Sequence, residues 1–147
     1  MSIRPLTLLV LAALLVSCGR APERDRNIIV VGVRTPPNNL DPRQANDETS
    51  QRVGQLVFSS LLDVGDDLRP VPRLALRLDI PDPLTYIAHL RRGVMFHDGH
   101  ELTSKDVVYT YASFLDPAYI SPFKGAFRVL RSVRALDEYT VEFKLNE

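Results

Sequence analysis

A mixed α/β fold, an α+β arrangement of short strands and helices, is what this sequence predicts. Three observations carry that expectation. Ile28–Val33 is a near-continuous apolar run rich in β-branched residues, suited to a strand buried on both faces. Tyr139–Leu145 alternates, with Val141, Phe143 and Leu145 on one side and Thr140, Glu142 and Lys144 on the other, the period of a half-buried strand. Between them, Val107, Val108, Tyr111 and Leu115 recur at helical spacing behind a start signal at Thr103.

The elements follow in chain order. Thr35-Pro36-Pro37-Asn38-Asn39 ends the first strand, because proline donates nothing to a ladder and asparagine favours turns. Asp41-Pro42 continues that loop. Asp47 caps a helix from Glu48 to about Leu62, with Val53, Leu56, Val57 and Leu61 as its buried stripe. Asp63–Leu68 turns around Gly65, and Pro70 and Pro72 limit regular structure after it. Leu74, Leu76 and Leu78 fit a short strand or a helical turn. Pro81-Asp82-Pro83 connects to a strand at Thr85–Leu90, which places Tyr86, Ala88 and Leu90 on one face. Asp98-Gly99 supplies the positive φ of a tight turn. Thr103 with Asp106 forms a short-acid capping box, and the helix runs to about Leu115, limited by Pro117. Asp116–Gly125 is loop. Leu130–Ala135 is a strand, turned at Asp137-Glu138 into the alternating run.

The chain of 147 residues suits one modest domain. Lys plus Arg equals Asp plus Glu at 18 each, so no net charge draws it to nucleic acid or an anionic surface. A single cysteine, Cys18, excludes an internal disulfide framework and a thiolate metal cluster.

The N-terminus has the layout of an export signal. Arg4 is the only charge before position 20, and the eleven residues Leu6–Val16 are apolar except Thr7. As a helix they reach about 17 Å, against roughly 30 Å of bilayer hydrocarbon, so a cleaved signal is expected rather than a transmembrane span. Leu15-Val16-Ser17-Cys18-Gly19 resembles a bacterial lipobox, which implies a diacylglyceryl group on the Cys18 thiol and cleavage before it. Residues 1–17 are then a lipoprotein signal peptide, residues 18–27 a polar tether, and residues 28–147 the folded part. Removing 1–17 deletes Arg4 and no acid, leaving a net charge of −1. Acyl chains hold such a domain at the membrane with about 0.8 kcal/mol per buried CH₂.

Several residues invite a chemical role. His97-Asp98-Gly99-His100 brings two imidazoles and a carboxylate together, but a tight turn splays its side chains, so a structural turn is expected and no metal site. His89 lies on a strand as a packed or surface histidine. Asp98, Glu101 and Asp106 serve turn, solvent and helix start. Tyr109, Tyr111 and Phe114 form a core stripe at helical spacing. No catalytic constellation or phosphate-cradling loop is present, so no enzyme activity and no cofactor are expected. Ligands of α/β sheets sit beyond strand carboxyl ends, which selects Asn46, Asp47, Glu48, Thr49 and Ser50 as the candidate ligand-binding stretch.

Val30-Val31-Gly32-Val33 precedes Asn39-Leu40-Asp41-Pro42 and Pro72-Arg73-Leu74-Ala75. Leu90-Arg91-Arg92-Gly93-Val94-Met95-Phe96-His97-Asp98-Gly99 runs into Leu102-Thr103-Ser104-Lys105-Asp106-Val107-Val108-Tyr109, and Leu136-Asp137-Glu138-Tyr139-Thr140-Val141 follows. This order of motifs resembles the N-terminal part of the family 5 extracellular solute-binding proteins of ABC importers, the oligopeptide, dipeptide and nickel-binding group. Asp82-Pro83 stands where the family usually has Asp-Gly. The resemblance implies a periplasmic-binding-protein-like type II fold, of which residues 28–147 would supply the first strand of the main lobe and most of the small accessory domain. It implies capture of peptides or similar small solutes outside the cytoplasmic membrane, on its periplasmic or extracellular face, and delivery to ABC permease subunits. A different class of role is a truncated envelope lipoprotein acting as an interaction module. An exposed apolar patch where a second lobe should pack distinguishes the first from the second, which needs a sealed polar surface.

Overall fold

The computed structural model describes residues 27–146. The chain divides into two compact units, one ending at Val33 and one beginning at Arg34. In the first, the apolar run Ile28–Val33 is exposed and forms no regular element. The strand expected there is not formed: no strand among the described residues pairs with it, and a ladder needs a partner for its N–H and C=O groups.

The second unit contains helix α1 (Glu48–Val57), strands β1 (Leu62–Val64), β2 (Pro70–Pro72), β3 (Ala75–Asp82) and β4 (Thr85–Leu90), helix α2 (Ser104–Leu115), a 3₁₀ turn (Ala126–Val129), and strands β5 (Leu130–Asp137) and β6 (Thr140–Leu145). β1 and β2 pair as a two-stranded antiparallel ribbon. The main sheet has the order β3-β4-β6-β5, antiparallel at every pairing. Pro70 and Pro72 do not prevent a strand, because a two-stranded ribbon leaves each strand an outer edge that needs no donor. Pro81 lies within β3, an edge strand, where the register shifts between Asp79 and Asp82.

The register sorts the sheet into two faces. Tyr86 pairs with Phe143 and Ala88 with Val141, and Leu90, Leu102, Val107 and Val141 form the buried core beneath α2. Each such side chain contributes roughly 1.5–3 kcal/mol of burial. Tyr111 meets Phe143 edge-on with centroids 5.0 Å apart, and Phe114 stacks on Phe127 at 3.9 Å. These contacts fasten α2 and the 3₁₀ turn to the sheet. On the opposite face Ile87 pairs with Glu142 and His89 with Thr140. Thr140 and Glu142, expected outward in solvent, are buried. β6 is an interior strand, and side chains of β4 and β5 crowd that face; Arg134 Nε donates to Glu142 Oε1 at 2.6 Å.

α2 starts as expected. Asp106 accepts from the backbone N–H of Thr103 at 2.8 Å and from its hydroxyl at 3.0 Å. α1 departs from expectation: it stops at Val57, and Leu56 and Val57 face solvent. Tyr109 also leaves the expected core stripe and is exposed, whereas Phe114 is buried.

Candidate functional site

The stretch leading into α1 is ordered by short-range polar chemistry. Asn39 Oδ1 accepts from Asp41 N at 2.9 Å, and Asp41 Oδ1 accepts from Arg43 N at 2.9 Å. The Asp41 carbonyl then accepts from Gln44 N and Ala45 N. Side-chain oxygens that mimic a turn carbonyl are the reason Asn and Asp punctuate loops. The Arg43 guanidinium grips the Asp41 carboxylate through Nε and Nη2, the shortest contact being 2.7 Å. That bond holds the Asp41 carboxyl below its ordinary range and raises the Arg43 guanidinium.

The five predicted ligand residues divide by role. Asp47 is the N-cap of α1; its Oδ1 accepts from Ser50 N at 2.9 Å. Hydrogen bonds from the Ser50 hydroxyl and its backbone lower the Asp47 pKa. Ser50 is buried, and its Oγ accepts from Asn39 N at 3.2 Å. Thr49 and Thr35 share a hydroxyl–hydroxyl bond of 3.2 Å. Glu48 pairs with Arg52 one turn on, both side chains largely in solvent. Asn46 is exposed. Asp47 and Ser50 thus build the helix start, and Asn46, Glu48 and Thr49 present groups around it. Cys18 lies outside the described residues.

Five residues not singled out by sequence, together with Tyr109, hold this stretch in place. The Arg43 guanidinium lies over the rings of Tyr109 at 5.7 Å and Tyr119 at 5.2 Å. Gln44 Nε2 donates to the Ile120 carbonyl at 2.7 Å, and Ser121 Oγ donates to the Arg43 carbonyl at 2.6 Å. Asp41 two places before Arg43 was a legible local signal; the partners some eighty residues on were not.

The His97–His100 segment is a tight turn with Gly99 at φ +92°. Asp98 Oδ1 sits 2.6 Å from His100 Nδ1, and the His100 ring lies against Phe96. His89 contacts Asp79 at 2.8 Å and Arg77 at 2.9 Å on the polar sheet face. A concavity of about 400 Å³ opens over the inner face of the main sheet. Leu61, Leu78, Tyr86, Tyr111, Phe127 and Leu145 line it, and its walls are almost wholly apolar.

Residues 69–147 match the model of the bacterial extracellular solute-binding proteins, family 5 Middle. The chain belongs to this family. Among family relatives, the oligopeptide-binding protein AppA of Bacillus subtilis (strain 168) is 31% identical over 118 residues, 80% of this chain and 22% of AppA. The glutathione-binding protein GsiB of Pectobacterium atrosepticum is 31% identical over 117 residues, 79% of this chain and 23% of GsiB. The solved structure of Bacillus subtilis AppA in complex with a nonapeptide superposes with a TM-score of 0.69 at 32% identity, covering 71% of this chain and 21% of that one. The ABC transporter substrate-binding protein CtaP of Listeria monocytogenes superposes with a TM-score of 0.70 at 37% identity, covering 77% and 23%. The chain therefore spans less than a quarter of the length of these relatives. They are binding proteins by description, and the shared fold is that of family 5 solute-binding proteins.

Proposed function

We propose that this chain is the N-terminal part of a peptide-capturing component of an ABC importer, exported and held at the membrane through a lipid on Cys18. Residues 1–17 serve as the signal peptide and residues 18–27 as the tether, and residues 28–147 belong to the solute-binding domain. The ligand is trapped outside the cytoplasmic membrane and handed to permease subunits, with Asn46–Ser50 among the residues that face it.

The observation that carries this reading is the likeness to AppA, which extends over 80% of the chain and, in three dimensions, to a structure holding a nonapeptide. GsiB makes glutathione, itself a small peptide, a second member of the same ligand class. The exposed run Ile28–Val33 and the apolar concavity favour this reading over a self-contained interaction module, because large unpaired apolar surfaces mark places where more protein packs.

The test uses the native product, extracted with detergent from the envelope fraction. The expected result is an N-terminal fragment beginning at acylated Cys18, together with peptides released on denaturation. Glu48→Ala with Thr49→Ala reduces the peptide yield. An unacylated N-terminus contradicts the anchoring, and a preparation that carries and rebinds no peptide contradicts the function.

A further inference from the structure

We propose that Arg43 is a positioning residue for the ligand-facing stretch Asn46–Ser50, clamping the start of α1 to the loop that follows α2. This rests on the assignment of that stretch to ligand binding.

The clamp has three links, each spanning a long interval of sequence: the Gln44 side chain to the Ile120 carbonyl, the Ser121 hydroxyl to the Arg43 carbonyl, and the Arg43 guanidinium over Tyr109 and Tyr119. The loop that receives them is itself fixed. Lys124 Nζ donates to the carbonyls of Asp116 at 2.6 Å, Pro117 at 3.1 Å and Tyr119 at 2.9 Å, and Tyr119 meets Phe114 edge-on at 6.1 Å. Arg43 therefore rests on a prepared platform. Asp41 holds its other side in a two-pronged grip, which orients the guanidinium plane. Ala45, the residue between clamp and candidate stretch, is buried, so displacement of Arg43 is passed to Asn46 and the Asp47 cap. A binding segment presented by a loop needs such support to hold its geometry. None of these links touches the Leu90–Leu102–Val107–Val141 core, which separates positioning from general stability.

The tyrosines differ in what they contribute. The Tyr119 hydroxyl is buried without a hydrogen-bond partner among the described residues, so the ring, not the hydroxyl, serves Arg43. Tyr119→Phe keeps the ring and Tyr119→Leu removes it.

The experiment is residue-resolved amide hydrogen exchange on the native-length chain. In Arg43→Ala the amides of Ala45, Ser50 and Gln51, bonded to Asp41 and Asp47, exchange roughly 10-fold faster or more, from the loss of one ion pair and two cation–π contacts. The Leu90 and Leu102 amides keep their wild-type rates, Arg43→Lys recovers part of the protection, and Tyr119→Leu loosens the segment while Tyr119→Phe does not. Unchanged exchange at 45–51, or equal acceleration at Leu90 and Leu102, overturns the proposal. If exchange responds as expected but peptide release is indifferent to Glu48→Ala with Thr49→Ala, it is the ligand assignment that falls.

Discussion

Leu90→Ala and Leu56→Ala make the same chemical change in opposite surroundings. Leu90 is 4% exposed and packs in the core with Leu102, Val107 and Val141. Truncation removes three side-chain carbons, about 2.4 kcal/mol of transfer free energy at 0.8 per carbon. The cavity left behind adds to that, so the total is about 3 kcal/mol. Leu56 is 79% exposed on α1, and its truncation stays within about 0.5 kcal/mol. Urea unfolding of the mature chain reads both. With a slope near 1.5–2 kcal/mol per molar, the Leu90→Ala midpoint falls by roughly 1.5–2 M and the Leu56→Ala midpoint by about 0.3 M or less, at unchanged slope. Equal losses would refute the described packing, because they would mean that α1 buries the stripe the structure exposes.

Two further outcomes follow from the sheet and the turn. The Arg134 hydrogen bond holds the Glu142 pKa below the ordinary glutamate value of 4.5, so its stabilisation is present above that pH and is lost as pH falls through the lower folded value. Glu142→Gln should flatten the acid limb of stability below about pH 4.5, measured by midpoint shifts across a pH series; an acid limb identical to wild type would remove Glu142 as its source. Gly99 sits at φ +92° with open space where a Cβ would stand, so Gly99→Ala costs roughly 1 kcal/mol through backbone strain alone, and a neutral substitution in thermal unfolding would contradict that turn geometry.

What the sequence disclosed was local. The Thr103–Asp106 box, the Asp-Gly turn and the strands at Thr85–Leu90 and Thr140–Leu145 are set by neighbours within a few residues, and each reappears in the structure, though not the outward exposure of Thr140 and Glu142. What it hid was decided at a distance. Ile28–Val33 has strand composition but no ladder partner in the described residues. The stripe on α1 has the right period, yet Leu56 and Val57 are exposed. Glu142 alternates outward yet is covered because β6 lies between two strands. β3 runs through Pro81 because an edge strand tolerates a missing donor. In the candidate site, Asp47 as a cap was legible from its place just before the helical stretch, while Tyr119, Ile120 and Ser121 as partners of Arg43 and Gln44 were not.

Calorimetric titration of the envelope-extracted native product with nonapeptides and with glutathione addresses peptide capture most directly. Saturable binding of a peptide, weakened by Glu48→Ala with Thr49→Ala and abolished by neither acyl removal nor moderate salt, is the expected result. Heat indistinguishable from dilution for every peptide, with the protein folded by circular dichroism, would contradict a role in peptide capture.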